Sequence, residues 1–308
     1  MELTNNKKRV IFTKFGFIFF LVCMILTGII IIYFLGFIFY KAYPAVASQG
    51  LINFITGSQW NYGENIYGIR VFIVDTTLLT LLTLVLSVPV SIFTAIFLSE
   101  FASKKLVSVV RPMIELLVGI PSVVYGIFGI FILENLFQNQ VNPLIDSYLG
   151  FIPIFHDSNP SCGDGLLLAS TVLAVMVLPT IISISEDSMR AVPYEYREAS
   201  FSLGANSWET VRHVVLPAAS KGILSAVILG MMRAMGETMA VVMLIGNVNV
   251  IPGSIFGYGY PMTSKILNDV GFYMSEPDKL SALFGIAAAL FTAEILSVAL
   301  ARKLGAKK

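Results

Sequence analysis

Six uninterrupted apolar stretches, at about 17–39, 71–98, 112–133, 166–185, 222–245 and 280–300, dominate this chain. Each approaches or exceeds the roughly 20 residues that an α-helix needs to cross a hydrocarbon core of about 30 Å. They are apolar along their whole length and do not alternate with period two, so they read as helices and not as barrel strands. Only 13% of the residues are charged, and the mean hydropathy is +0.82; a soluble domain carries about 25% charged residues. A soluble enzyme is excluded on that ground, and a formal net charge of +1 gives no global field for binding nucleic acid. The expected fold class is an all-α integral membrane protein with about six transmembrane helices.

The first stretch is too long for the apolar core of a signal peptide, so a retained helix is expected although Ala45-Val46-Ala47 resembles a cleavage site. Pro89, Pro121 and Pro179 fall within or beside apolar stretches, which predicts kinks or breaks there. Segment 134–165 contains no Lys or Arg and is interrupted by Pro143, Asp146 and Pro153, so an outer loop with a short interfacial or re-entrant helix is expected. The segment from Asn247 to Pro261, rich in Gly and Pro, reads as an irregular lid or docking surface.

Basic residues set the orientation. Lys7, Lys8, Arg9 and Lys14 precede the first stretch; Lys104, Lys105 and Arg111 follow the second; Arg190, Arg197, Arg212 and Lys221 follow the fourth; Arg302, Lys303, Lys307 and Lys308 follow the last. The opposite side receives only Lys41, Arg70, Lys265 and Lys279. Both termini are therefore expected in the cytoplasm. Cys23 and Cys162 are too few for a disulfide framework and read as structural, and His156 and His213 lie too far apart to suggest an acid–base or metal constellation.

Two places stand out chemically. Loop 186–221 is amphipathic, with a helix expected over about 194–203, Gly204 as a left-handed cap, an Asn206-x-x-Glu209 capping box, and a second helix ending near Pro217. The fifth stretch places Arg233 and Glu237 four residues apart, one helical turn, near the bilayer midplane. A charge there costs at least about 2.5 kcal/mol, so it must be paired or line a wet pathway. Pairing with each other, or with Asp75, Glu115 or Glu294, is the structural alternative. Gly230 and Gly236 allow a close approach beside the pair.

The spacing Glu198-Ala199-Ser200-x3-Gly204-x9-Val214-x-Leu216-Pro217 resembles the "EAA" loop of type I ABC importer permeases, with Ser200 where Ala is frequent. Arg233-Ala-Met-Gly-Glu-Thr-Met-Ala-Val241 and Ile120-Pro-Ser-Val-Val-Tyr-Gly126 are similar to motifs of the phosphate-specific permease family, C subunit (PstC), from about Ile66 to the C-terminal helix. The resemblance implies the MetI-like permease fold in a bacterial plasma membrane. It implies a first segment 1–70, a permease core 71–303 with coupling loop 186–221, and a cytoplasmic tail 304–308. It implies Glu198, Ala199, Gly204, Leu216 and Pro217 as coupling residues toward an ATPase, with Arg233 and Glu237 on the phosphate pathway.

The implied partners are a second, PstA-like permease subunit, a PstB-like ATPase homodimer, an outer PstS-like phosphate-binding protein, phosphate and membrane lipid. No cofactor is expected on this chain. The sequence has no Gly-Lys dipeptide and hence no nucleotide-cradling P-loop, so ATP and Mg would be held by the ATPase. Alternatives are a permease for another oxyanion, the partner permease, a non-transporting anchor, or a proton-coupled transporter relaying through Asp75 and Glu237.

Overall fold

The computed structural model describes residues 2–156 and 163–305, with side chains described from 16 to 303; Cys162, Lys307 and Lys308 lie outside the described residues. Its helices are α1 (Glu2–Gln49), α2 (Leu51–Thr56), α3 (Arg70–Ile96), α4 (Lys104–Val118), α5 (Ser122–Phe128), α6 (Glu134–Leu136), α7 (Asn142–Leu149), α8 (Leu166–Arg190), α9 (Tyr194–Ser202), α10 (Ser207–Thr210), α11 (Leu216–Gly236), α12 (Met239–Leu244), α13 (Met262–Tyr273) and α14 (Pro277–Gly305). Five helices are long and apolar enough to cross a membrane, and a sixth crossing is made by a bent pair. The all-helical, multi-pass expectation is met. A small hairpin of β1 (Trp60–Asn61) and β2 (Ile66–Tyr67) pairs Trp60 with Tyr67.

Helix α8 is the axis of the bundle, packed between α3 and α11 and buried along most of its apolar length. Leu168, Leu173, Val177 and Ile181 of α8 meet Leu79, Ala226 and Ala234 in the main core. The start of α8 needs partners for its free N–H groups, and the segment after α12 supplies them. Leu166 N–H donates to Gly257 O at 3.0 Å and Leu167 N–H to Ile255 O at 2.8 Å. The same segment is pinned to α3, where Asp75 accepts the Tyr260 N–H at 2.6 Å and Thr76 accepts the Met262 N–H at 3.0 Å. The irregular segment is thus a cap over helix ends.

The third apolar stretch is not one straight span. The chain turns by 92° between Lys104–Val118 and Ser122–Leu149. Pro121 has no N–H for the Leu117 carbonyl, and the Tyr125 hydroxyl donates to that carbonyl at 3.0 Å instead. The crossing therefore begins at Ser122 and continues through wide i→i+5 turns at Gly129–Leu133 and Phe137–Val141 into α7. Residues 134–149, expected as an outer loop with a short interfacial or re-entrant helix, instead extend this helix, and Pro143 sits harmlessly in the first turn of α7. Helix α4 is amphipathic, with charge on one side. Pro89 and Pro179, by contrast, lie within unbroken helices.

At the end of the bundle opposite the elbow, the hairpin closes over α13. The Lys265 ammonium lies 5.1–5.6 Å from the ring centroids of Trp60, Tyr62, Phe72 and Tyr260 and pairs with Asp269 at 2.7 Å. Tyr62 also hydrogen-bonds Asp269; burial first, then that bond, pushes its phenol well above the ordinary range. Both members of the ion pair are largely shielded from solvent, so removing one leaves the other uncompensated. Lys265→Met is expected to destabilise the protein by about 3 kcal/mol, the order found when one partner of a buried pair is deleted. Thermal unfolding in detergent checks this: a clear drop in midpoint, partly restored by adding Asp269→Asn, is the expected result.

Candidate functional site

The elbow between α8 and α11 forms much as its sequence dictates. Gly204 has φ 86°, the left-handed conformation that ends α9 with little cost for glycine alone. The Ala205 N–H returns to Ser200 O at 3.2 Å. Asn206 Oδ1 accepts the Glu209 N–H at 2.9 Å, and Glu209 Oε2 accepts the Asn206 N–H at 2.8 Å, completing the capping box. Ser200 is buried against Thr210 at 2.9 Å, which explains a hydroxyl at that motif position.

Glu198 and Ala199 are exposed on the elbow, and so is Gly204. Around them Leu203 is 90% exposed, with Tyr194, Tyr196 and Trp208 also open. That combination is an apolar surface with nothing from this chain against it. Pro217 does not end the second helix. It lies in the first turn of α11, directly after a wide turn at Val211–Val215 that relieves the clash of its ring with the preceding turn. Ser207–Gly236 is consequently one rod from the elbow into the bundle. Leu216 is half-buried at its root, packed on the cluster of Val211, Val215 and Met189, while Pro217 is exposed.

Sequence reading overlooked the residue that fixes the elbow to the bundle. Arg197 forks onto Glu100, with Nη2 to Oε1 at 2.7 Å and Nε to Oε2 at 3.1 Å. Its remaining donors reach Val192 O at 2.7 Å and Met189 O at 2.9 Å. Hydrogen bonding to Glu100 raises the guanidinium pKa, with desolvation opposing. One side chain thereby ties α9 to the ends of both α3 and α8. Its position directly before Glu198 was the available signal. Nearby, buried Glu186 pairs with Arg190 at 2.8 Å, and Arg111 bonds Glu115 at 3.1 Å and Asp187 at 3.0 Å.

Arg233 and Glu237 do not share a helical turn. Helix α11 stops at Gly236, and Glu237 is extended at φ −67°, ψ 132°. Its Oε1 accepts the Ala240 N–H at 3.3 Å at the start of α12, and Thr263 donates to its carbonyl at 3.0 Å. No ion pair among the described residues includes Arg233, so the pairings with Glu237, Asp75, Glu115 and Glu294 are not formed. Its Nη1 donates to Thr180 Oγ1 of α8 at 3.3 Å. At the helical rise of roughly 1.5 Å per residue, Thr180 is about 21 Å from Leu166 and about 15 Å from Arg190 along α8. The guanidinium thus reaches the middle of the bundle. The histidines stay on the surface, His156 against Asp146 at 3.0 Å and His213 against Glu209 O at 3.1 Å.

Because the Arg197 fork cannot be reproduced by a point-charge ammonium, Arg197→Lys is expected to loosen the elbow while leaving the rest of the bundle intact. Limited proteolysis checks this, with cleavage at 194–210 accelerating several-fold; an unchanged pattern contradicts the anchoring role.

Residues 87–307 match the family described as binding-protein-dependent transport system inner membrane component. The phosphate transport system permease protein PstC of Pasteurella multocida is 36% identical over 250 residues, covering 80% of this chain and 78% of the relative. The probable ABC transporter permease protein YqgH of Bacillus subtilis is 35% identical over 311 residues, covering 100% of this chain and 93% of the relative. Among solved structures, a bacterial ABC transporter for import of the acidic polysaccharide alginate aligns with TM-score 0.58 at 15% identity, over 94% of this chain and 96% of that one. An inward-facing MetNI methionine ABC transporter aligns with TM-score 0.51 at 18% identity, over 78% and 94% of the two chains. These two likenesses establish the shared fold. The chain is accordingly a multi-pass transporter component and not an enzyme, and it belongs to the binding-protein-dependent transport system inner membrane component family of ABC importer permeases.

Proposed function

We propose that this chain is a permease subunit for inorganic phosphate, with Arg233 and Glu237 on its pathway and the elbow as its contact with a cytoplasmic ATPase. The observation that carries the pathway is an arginine in the middle of a membrane bundle with no carboxylate partner among the described residues. A guanidinium held so is costly unless an anion visits it, and its planar fork fits phosphate oxygens. The naming of relatives as phosphate permeases supports that anion. Glu237, capping α12 with one oxygen, borders the site and would accept a hydrogen bond from a protonated phosphate oxygen.

The core 71–303 carries this machinery, and both termini lie in the cytoplasm with the elbow, as the basic residues indicate. Glu198, Ala199 and Gly204 present the elbow to a PstB-like ATPase homodimer that holds ATP and Mg; Leu216 and Pro217 root it in α11. A PstA-like second permease completes the pathway, and a PstS-like binding protein delivers phosphate from outside. Closure of the ATPases pushes the elbow, and the rod Ser207–Gly236 carries that movement to Arg233.

The test is uptake of radiolabelled phosphate by cells lacking their own phosphate transport and expressing the complete complex, with membrane levels matched. Arg233→Gln is expected to cut uptake by more than about tenfold, the order of a lost charged hydrogen bond. Gly204→Val, strained at φ 86°, is expected to abolish ATP-dependent uptake while the bundle still assembles. Normal uptake by Arg233→Gln would remove the arginine from the pathway. Preferential uptake of sulfate by the unaltered complex would reassign the substrate to another oxyanion.

A further inference from the structure

We infer that Thr180 is a second hydrogen-bond donor to the translocated oxyanion, so that the anion subsite is built from both α8 and α11. The inference rests on the pathway reading of Arg233 and extends it to a residue of a different helix.

Threonines within the helices of this protein share a habit. Thr27, Thr76, Thr77, Thr80, Thr94, Thr171 and Thr292 each donate the hydroxyl hydrogen to the carbonyl four residues earlier, at 2.7–2.8 Å. That is the usual way for a helical hydroxyl to be satisfied away from water. Thr83, Thr210 and Thr263 instead bond Ser170 O, the Ser200 hydroxyl and Glu237 O, and Thr180 differs from these too in meeting a cation. Its Oγ1 accepts from Arg233 Nη1 at 3.3 Å, and among the described residues it makes no bond to the Met176 carbonyl. A hydroxyl carries one donor and two acceptor lone pairs, so accepting from the arginine leaves its hydrogen uncommitted. The side chain is half-buried, open enough to be approached.

The spacing of the two helices is held tightly at this level. Gly230, three residues before Arg233, faces Ile181, next to Thr180, and a Cβ on Gly230 would fall 2.7 Å from Ile181 Cγ1 and Cδ1. A side chain at Gly230 would therefore force the buried Ile181 to shift, and the glycine favours the close spacing that brings the hydroxyl within reach of the guanidinium. Tyr125 does not compete for the same role, because its hydroxyl is spent on the Leu117 carbonyl. At the arginine itself the free Arg233 N–H groups and the Thr180 O–H are donors, as a site for an oxyanion requires, while the carboxylates of Glu237 and of Glu294, whose Oε1 lies beside Gly236, stand off from the guanidinium and make no ion pair with it.

Thr180→Val matches the threonine in shape and removes only the hydroxyl, whereas Thr180→Ser keeps it. Both are to be made in the complete complex and assayed by uptake of inorganic phosphate, normalised to assembled complex, beside Arg233→Gln. The expected result is a loss of about tenfold for Thr180→Val, the order for a hydrogen bond to a charged group, with Thr180→Ser within about twofold of the unaltered protein. Unchanged uptake by Thr180→Val, while Arg233→Gln is inactive, overturns this inference and leaves the pathway reading standing. Equal losses for Val and Ser also overturn it, since packing and not the hydroxyl would then matter. Normal uptake by Arg233→Gln removes the pathway reading itself, and the inference with it.

Discussion

Hydrocarbon offers no hydrogen bonds, so every turn that this chain fails to complete inside the bundle must be closed by some other polar group. The two breaks obey that constraint. At Pro121 the Leu117 carbonyl, left with only a long bond from the Ile120 N–H at 3.4 Å, is taken by Tyr125, four residues beyond the proline and projecting back across the bend. At Gly236 the carbonyls of Gly236 and Glu237 are taken by Thr238 and Thr263, and the Glu237 carboxylate receives an N–H of α12. Each break is local, and the second falls three residues after Arg233.

Mechanical continuity complements these breaks. The elbow is locked internally by its capping box and externally by Arg197, and its second arm runs without interruption into α11. Thirty residues of helix rise about 45 Å at roughly 1.5 Å per residue. No loop lies between the elbow and Arg233 to absorb a displacement of either. The rod stops at Gly236, just past the arginine, so movement beyond that point is passed to a different, shorter helix.

Much of this was legible in the sequence because it depends on local chemistry. Apolar length located the spans, and Gly204 with Asn206 and Glu209 located the elbow, since a left-handed cap and a capping box need only near neighbours. What was not legible depends on contacts distant in the chain. Mean hydropathy placed the third crossing at 112–133, but the crossing starts at Ser122, because the 92° turn is stabilised by Tyr125. Residues 134–149 read as an outer loop with a short interfacial or re-entrant helix, because Pro143 and Asp146 interrupt them, yet they continue the helix that starts at Ser122. Pro217 read as a stop signal because the wide turn that accommodates it has no sequence signature. Arg197 and Thr180 were invisible as partners of Glu100 and Arg233, each pair joining different helices.

The first helix stands apart from all of this. The most apolar 18-residue window of Gly16–Gln49 has no buried residue, and α1 packs chiefly along α14 nearer its C-terminal end, where Phe37 meets Phe284 and Ala42 meets the alanines of the neighbouring turn. Near Pro44 the Ser281 hydroxyl donates to Lys41 O at 2.7 Å and accepts from Ala45 N–H at 3.0 Å, bridging a widened rung of the α1 ladder. The family match begins only at residue 87. The main core of α3, α8 and α11 takes nothing from α1, which is held along α14 and, through Ala45, by the cluster around Phe54 and Phe72. Over its described side chains the lipid-facing length of α1 therefore needs only to be apolar, whereas the small residues facing α14, Ala45 and the serine that stitches the helix in place are held to their size and chemistry.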